Sequence, residues 1–320
     1  MRFMPDGDTL ISGSSDGTVR FWDTPTGAPM REKRGQHIDV GGKPVQSIAI
    51  HERDLAIGGS GKQLKIVRLS SDFQVLKQLS IEHGLGNVTG LGFSADGQYL
   101  AASGENGGRV WEMDPAFESV DERPLTFKAK DDHFLVFAPN KNAFFHAHES
   151  GRKILFVEFD GAALSQTHLG DDLGRDMYLG WHGICFHETD NIMFVNERLG
   201  LDVWNVKDMT KGGKRKTSLV SDPNLFEGSV IACNRFGHVA GAGPGNAVRI
   251  YDPANKKILY DFSPEFKKIY SLAWDNSGKR LAVGLATGGI SVWDMDAVNA
   301  QLLGLGFDVA PEYATKSGEQ

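Results

Sequence analysis

The stretch PDGDTLISGSSDGTVRFWDTPTG, from Pro5 to Gly27, decides how this chain folds. It reads as a turn, a short apolar strand, a second tight turn, a strand ending in Trp22-Asp23, and another turn. SADGQYLAASGENGGRVWEMDP (Ser94 to Pro115) repeats it, and so does DNSGKRLAVGLATGGISVWDMD (Asp275 to Asp296). Weaker copies fill the gaps: DLAIGGSGKQLKIVRL, NIMFVNERLGLDVWNV and HVAGAGPGNAVRIYDP, with KILFVEFDGAAL the most degraded.

Following the position of Trp22 through the copies gives the series Trp22, Val67, Trp111, Phe159 (or Val157), Trp204, Tyr251 and Trp293. With Phe159 the spacings are 45, 44, 48, 45, 47 and 42. Four-stranded units that stack around a ring repeat every 40–45 residues or so. Each copy carries short runs rich in Val, Ile, Leu and Phe between Gly, Asp, Asn and Pro clusters, and Gly17, Gly97 and Gly278 fall at turns. One such unit cannot bury both faces alone, whereas a closed ring can. The expected fold is all-β: a seven-bladed β-propeller of four-stranded antiparallel sheets over residues 1–295, then a short helix and tail over 296–320. No room remains for a second domain.

These motifs resemble WD-repeat propellers along the whole chain, most strongly at Trp22-Asp23 and Trp293-Asp294. The resemblance implies, in the best copies, a hydrogen-bonded tetrad of Ser, Asp, His and Trp inside the blade. The first copy keeps Ser12, Asp16 and Trp22, but its His would lie before Met1. The third keeps His83 and Trp111, with Asn106 near the Asp position. The other copies lack most of the tetrad, so apolar packing and backbone pairing must hold them.

The two ends do not match. The first copy opens almost inside its innermost strand, at Met1-Arg2-Phe3, where a complete repeat would place an outer strand and a loop first. The family usually completes its last blade with that N-terminal strand. The other candidate is the segment after Trp293, DMDAVNAQLLGLGFDVAPEY. Asp296 as N-cap, Val298 and Leu302 at i, i+4, and Gly304 as C-cap favour a short helix there, the alternative being a fourth strand for the last blade. With the helix, the last blade keeps an open edge through which the protein would self-associate. The chain would then be the C-terminal part of something longer, or one with a misplaced start. The closing Gly-Phe-Asp and Pro-Glu-Tyr look like the ends of propellers fused to bacterial Ser/Thr protein kinases, although no kinase motif is present.

Catalytic signals are weak. His146 and His148 face the same way on a strand, within a His-rich third that also holds His133, His168, His182 and His187. No Cys pair, HExxH or calcium loop supports a metal there. No Gly-x-Ser-x-Gly elbow appears, and Ser12 and Ser14 occupy the repeat's own positions. Gly58-Gly59-Ser60-Gly61 and Gly243-Pro244-Gly245 read as turns, since no helix follows them. Cys185 and Cys233, the two cysteines, sit in apolar runs and read as inert core thiols. No cofactor or metal is expected, and no catalytic residue.

The formal net charge of -7 disfavours nucleic acid. The basic stretch KDMTKGGKRK, Lys207 to Lys216, reads as a solvated loop. No apolar run approaches the roughly 18 residues of a membrane span, and no signal peptide precedes the first motif, so a soluble, cytoplasmic protein is expected. The most suggestive surface is GDDLGRDMYLGWHG, Gly170 to Gly183, before the inner strand of the fifth copy. Arg175, Tyr178, Trp181 and His182 are its candidate partner-binding residues, being mostly the types that dominate interface hot spots. Trp181 could equally take the apolar place that Val45 and Val88 hold elsewhere. The leading expectation is thus a non-catalytic platform for protein partners. The alternative is a small-ligand-binding or enzymatic propeller whose central channel gathers Asp16, Glu105, Glu149 and Glu197.

Overall fold

The computed structural model describes residues 1–24, 31–120, 124–127, 135–138, 142–148, 153–169, 183–187, 192–197, 200–205, 217–220, 225–226, 230–262, 267–310 and 313. Sheet one contains β1 (Arg2–Phe3), β2 (Thr9–Gly13), β3 (Thr18–Asp23) and β4 (Arg31–Asp39). Sheet two contains β5 (Val45–His51), β6 (Asp54–Gly59), β7 (Gln63–Leu69) and β8 (Val75–Glu82). Sheet three follows with β9 (Val88–Phe93), β10 (Tyr99–Gly104), β11 (Gly107–Glu112) and β12 (Leu125–Phe127). Sheet four has β13 (Leu135–Phe137), β14 (Ala143–His148), β15 (Lys153–Phe159) and β16 (Leu164–Leu169). Sheet five has β17 (Ile184–His187), β18 (Ile192–Glu197), β19 (Gly200–Asn205) and β20 (Thr217–Val220). Sheet six has β21 (Ile231–Cys233), β22 (Val239–Ala242), β23 (Val248–Asp252) and β24 (Lys257–Phe262). Sheet seven is shorter, with β25 (Ile269–Trp274), β26 (Arg280–Leu285) and β27 (Ile290–Asp294), and α1 (Met295–Gly304) follows it.

Every pairing is antiparallel between consecutive strands, as tight turns require. The turns between first and second strands recur in chemistry. Asp6 accepts hydrogen bonds from the backbone N–H groups of Asp8 and Thr9, Asn234 from Phe236 and His238, and Asp275 from Lys279 and Arg280. A short side-chain acceptor that closes its own turn is why Asp and Asn punctuate the copies. Burial falls outward within a sheet: β10 is buried at every position, whereas the fourth strand β8 is mostly exposed.

Each sheet buries its faces against its neighbours. Ile11, Phe21, Ile48 and Ile57 join sheets one and two. Leu64, Leu91, Leu100 and Trp111 join two and three, and Val110, Phe127, Phe144 and Val157 join three and four. Phe145 meets Phe186 between four and five, with ring centroids 5.1 Å apart. Cys185, Leu201, Ile231 and Val239 lie between five and six, and Val248, Ile250, Leu281 and Val283 between six and seven. Sheet seven then meets sheet one through Phe3, Leu10, Ala273 and Ala282. Arg280 reinforces that seam, donating to the Gly7 carbonyl at 3.0 Å and to the Asp8 carboxylate at 2.6 Å.

Hydrogen-bond register corrects the anchor series. The backbone N–H of Thr24, Leu69, Met113 and Met295, each two residues past its anchor, donates back to Asp8, Arg53, Gln98 and Lys279 respectively. In sheet four the same bond runs from Phe159 to Asn142, at 3.0 Å. Phe159 therefore lies two residues beyond the anchor, and Val157, paired with Phe144, occupies the place of Trp22. Both residues are large enough, apolar and on one face, so size alone could not separate them.

The short C-terminal helix is present, but its cap is not Asp296. Asp294, still in extended conformation, accepts from the N–H of Ala297 at 3.0 Å, so the Trp-Asp motif itself starts the helix. Asp296 lies in the first turn and pairs with Lys279 at 2.8 Å. Gly304 is the last helical residue rather than the cap; Leu305 caps, and Gly306 takes the positive φ. Among the described residues β27 pairs only with β26, which leaves its outer edge without a strand. Trp111 is 1% exposed at the joint of sheets two and three. Trp111→Ala should destabilise the protein by roughly 3–5 kcal/mol in denaturant titration, and a loss under about 1 kcal/mol would contradict the packing described.

Candidate functional site

The tetrad expected of the first copy is only partly assembled. Trp22 Nε1 donates to Ser12 Oγ at 2.8 Å. Asp16 stands apart, accepting from the Thr18 hydroxyl at 2.7 Å and from Arg20 at 2.6 Å, and these partners hold its carboxyl well below the usual carboxylate range. In sheet three, Ala102 sits at the register position of Ser12, so Trp111 has no Ser to bond and packs among Leu64, Leu91 and Leu100. His83 is buried, and its Nδ1 accepts from the N–H of Leu85 at 2.9 Å. Burial lowers the His83 pKa, and the charge of Arg109 adds to the effect. Trp293 faces Val283 where Trp22 has Ser12; its indole N–H is buried without an acceptor among the described residues, and the ring stacks on Phe262 at 4.4 Å.

A site that sequence reading missed lies between sheets six and seven. The tail returns over this joint, and Tyr313 is completely buried there. Its hydroxyl accepts from Asn234 Nδ2 at 2.6 Å and lies 2.9 Å from His238 Nδ1. Trp274 stacks on the ring and Phe236 meets it edge-on. Asn234 Nδ2 also donates to the Gly278 carbonyl at 3.2 Å, so one side chain ties the tail to turns of both sheets. Beside it, Tyr260 donates to Asn299 of α1 at 2.5 Å. The only sequence signal is a single aromatic in the polar stretch Pro311 to Gln320.

At the seam of sheets seven and one an open cleft of about 370 Å³ is lined by Asp6, Asp8, Asp275, Lys279, Arg280 and Asp294 among others. Lys279 and Arg280 are already engaged by Asp296 and Asp8. Of the four carboxylates considered for a channel, Asp16 and Glu105 have described side chains, and each is held by a neighbour on its own sheet. Asp16 is tied to Arg20 on sheet one, and Glu105 accepts from Asn87 at 2.7 Å on sheet three. Glu149 and the Glu197 side chain lie outside the described residues, as do Arg175, Tyr178, Trp181 and His182, and the basic stretch from Lys207. His146 is buried against Phe127, with ring centroids 5.0 Å apart, and among the described residues no three His, Cys, Asp or Glu side chains group as metal ligands. Only part of the first glycine run is the expected turn: Gly58 and Gly59 end β6, where a Cβ at Gly59 would collide with the Pro44 carbonyl, and the chain bends at Ser60-Gly61; Gly245 has φ +68° inside a single 3-10 turn.

Three stretches match the WD domain, G-beta repeat: residues 1–23, 74–112 and 256–294. The last two each contain the outer strand of one sheet and the first three strands of the next, so the WD40 repeat and the sheet are out of phase. The Dictyostelium discoideum protein named Protein LST8 homolog is 28% identical over 109 residues, 33% of this chain and 34% of that protein. A Schizosaccharomyces pombe protein named Target of rapamycin complex subunit wat1 is 28% identical over 145 residues, 45% of this chain and 43% of its own. Pre-mRNA-processing factor 19 homolog 2 of Arabidopsis thaliana is 29% identical over 141 residues, 42% of this chain and 26% of its own. The matched region thus spans less than half of each relative. Among the described residues no helix is long and apolar enough to cross a membrane.

Two outcomes follow. Tyr313→Phe leaves Asn234 and His238 without their buried partner and should cost roughly 1–3 kcal/mol in denaturant titration, with hydrogen exchange quickening first in β22 and β25. An unchanged midpoint would show that the hydroxyl is not a tie. His83 sits below its ordinary value of 6.5, so the unfolded chain takes up the proton first and stability falls as pH drops through and below that value. His83→Asn, which keeps an acceptor for Leu85, should reduce the loss of stability between neutral pH and pH ~5.5; equal losses in both proteins would remove His83 from the account.

Proposed function

We propose that the chain forms a seven-bladed propeller over residues 1–295, with α1 and the tail as its appendix, and that it serves as a non-catalytic platform for protein partners. The observation that carries this reading is the local use of its polar groups. The candidate carboxylates Asp16 and Glu105 are engaged on separate sheets by neighbours of their own strands and turns. Polar groups spent in this way hold loops in place. The relatives point the same way, since one is by name a subunit of a complex. The tail's likeness to kinase-fused propellers directs the reading toward signalling, in the cytoplasm.

The docking surface in this reading includes Arg175, Tyr178, Trp181 and His182 before β17. Tyr and Trp give large contact area at low entropy cost, and Arg adds several directed hydrogen bonds, so a few of them can dominate an interface. The net charge of -7 argues for a protein partner over nucleic acid. The free edge of β27 is a second place for another strand, including one from a second copy.

Crosslinking and affinity capture from the source cells, comparing wild type with the Arg175→Ala/Tyr178→Ala pair, tests the platform. The pair should fold with an unchanged melting temperature and lose one or more partners. Identical partner sets from both proteins would remove this loop from the interface. A metabolite screen by thermal shift covers the alternative: a small molecule that raises the melting temperature strongly, and that is then consumed, would replace the platform with an enzyme.

A further inference from the structure

The inner strands follow a size rule where neighbouring sheets meet. In register, one position holds Phe3, Ile50, Phe93, Phe137, Phe186 and Trp274. The residue before it is small or apolar in Ala49, Gly92, Val136, Ala232 and Ala273, whereas sheet one carries Arg2 there. The large residue of one sheet lies over the small one of the sheet before. A Cβ on Gly92 would come within 3.0 Å of the Phe137 ring, Trp274 donates to the Ala232 carbonyl at 3.2 Å, and Phe3 shares a cluster with Ala273. Between sheets five and six the rule is broken. The small position is Cys185 and the large one is Cys233, which pairs with Val239 as Phe3 pairs with Leu10. The only two cysteines of the chain therefore face each other across one joint.

Both thiols are free, Cys185 buried and Cys233 half-buried. The two side chains pack in one cluster, and the Cys233 thiol donates to the carbonyl of Phe186, the residue after Cys185, at 2.6 Å. Burial, then the neighbouring thiol, raises the Cys185 pKa, so Cys233 is the group that an outside reagent meets first.

We propose that Cys185 and Cys233 form a reversible dithiol site, oxidised by a small disulfide such as glutathione disulfide to an intramolecular disulfide that clasps sheet five to sheet six. The Cys233 thiolate attacks one sulfur of the small disulfide, forming a mixed disulfide and expelling one thiolate, which takes up the proton that Cys233 lost. The Cys185 thiolate then attacks the Cys233 sulfur; the protein S–S bond forms, and the second small thiolate leaves and is protonated. The protein loses two electrons and two protons, and the small disulfide becomes two thiols. The closed loop contains β18, β19 and β20, so the oxidised protein holds the whole of sheet five more firmly.

The test incubates the folded full chain with excess glutathione disulfide, then quenches with acid and maps peptides without reduction. The expected result is loss of two hydrogens in mass, a Cys185–Cys233 linked peptide, and a raised melting temperature that dithiothreitol reverses. Cys185→Ala places there the residue that Ala49, Ala232 and Ala273 already supply, so this variant should fold and trap glutathione on Cys233. Wild type that carries glutathione without the internal link would overturn the proposal. So would two thiols that stay unreactive until the protein is unfolded in urea.

Discussion

A four-stranded sheet of short strands has two apolar faces and no way to cover either by itself, and this shortage of cover governs the rest of the molecule. Every face must be met by the face of a neighbour. At about 25 cal/mol per Å² of apolar surface removed from water, the joints between sheets are where stability accumulates. The clusters reflect this: each combines strands of two successive sheets, and the last combines sheet seven with sheet one. Loops and side-chain networks are secondary to these joints. That is why Trp111 can lose its Ser partner and Trp293 can keep an unpaired indole N–H while both remain packed.

The same shortage explains why tetrads could decay. A hydrogen bond inside a blade is worth roughly 0.5–1.5 kcal/mol net, less than burying a large aromatic. Sheet one keeps one such bond, between Trp22 and Ser12, while Ala102 and Val283 replace the Ser in sheets three and seven. Apolar substitution of both partners leaves nothing unsatisfied, whereas substitution of one leaves an orphan. Trp293 is that orphan, and its stacking on Phe262 is the compensation visible in the structure.

The strands were legible because each copy carries its own punctuation. Asp6, Asn234 and Asp275 close their turns through bonds within a few residues, and such local chemistry is written in local sequence. What failed was whatever depends on register or on distant partners. Val157 and Phe159 share a face and a character, and only the bond from Phe159 to Asn142 tells them apart. Asp294 and Asp296 are both competent caps; the extended backbone at the end of β27 selects the first. Tyr313 finds Asn234 and His238, and Cys185 finds Cys233, through packing that no periodicity announces. The proposed partner loop was read from residue types alone, and its geometry lies outside the described residues.

The seat of Tyr313 has a consequence for how the chain is made. Asn234 and His238 leave the ribosome long before Tyr313 does, yet both bond to its hydroxyl in the folded chain. The seam of sheets seven and one imposes a similar delay, since Phe3 waits for Ala273. During synthesis, therefore, the middle sheets can pack in order while the first and last joints stay wet. Joints that close only once β25 and Tyr313 have been made place the slowest and most aggregation-exposed moment of folding after the middle sheets have packed, whatever the speed of those sheets.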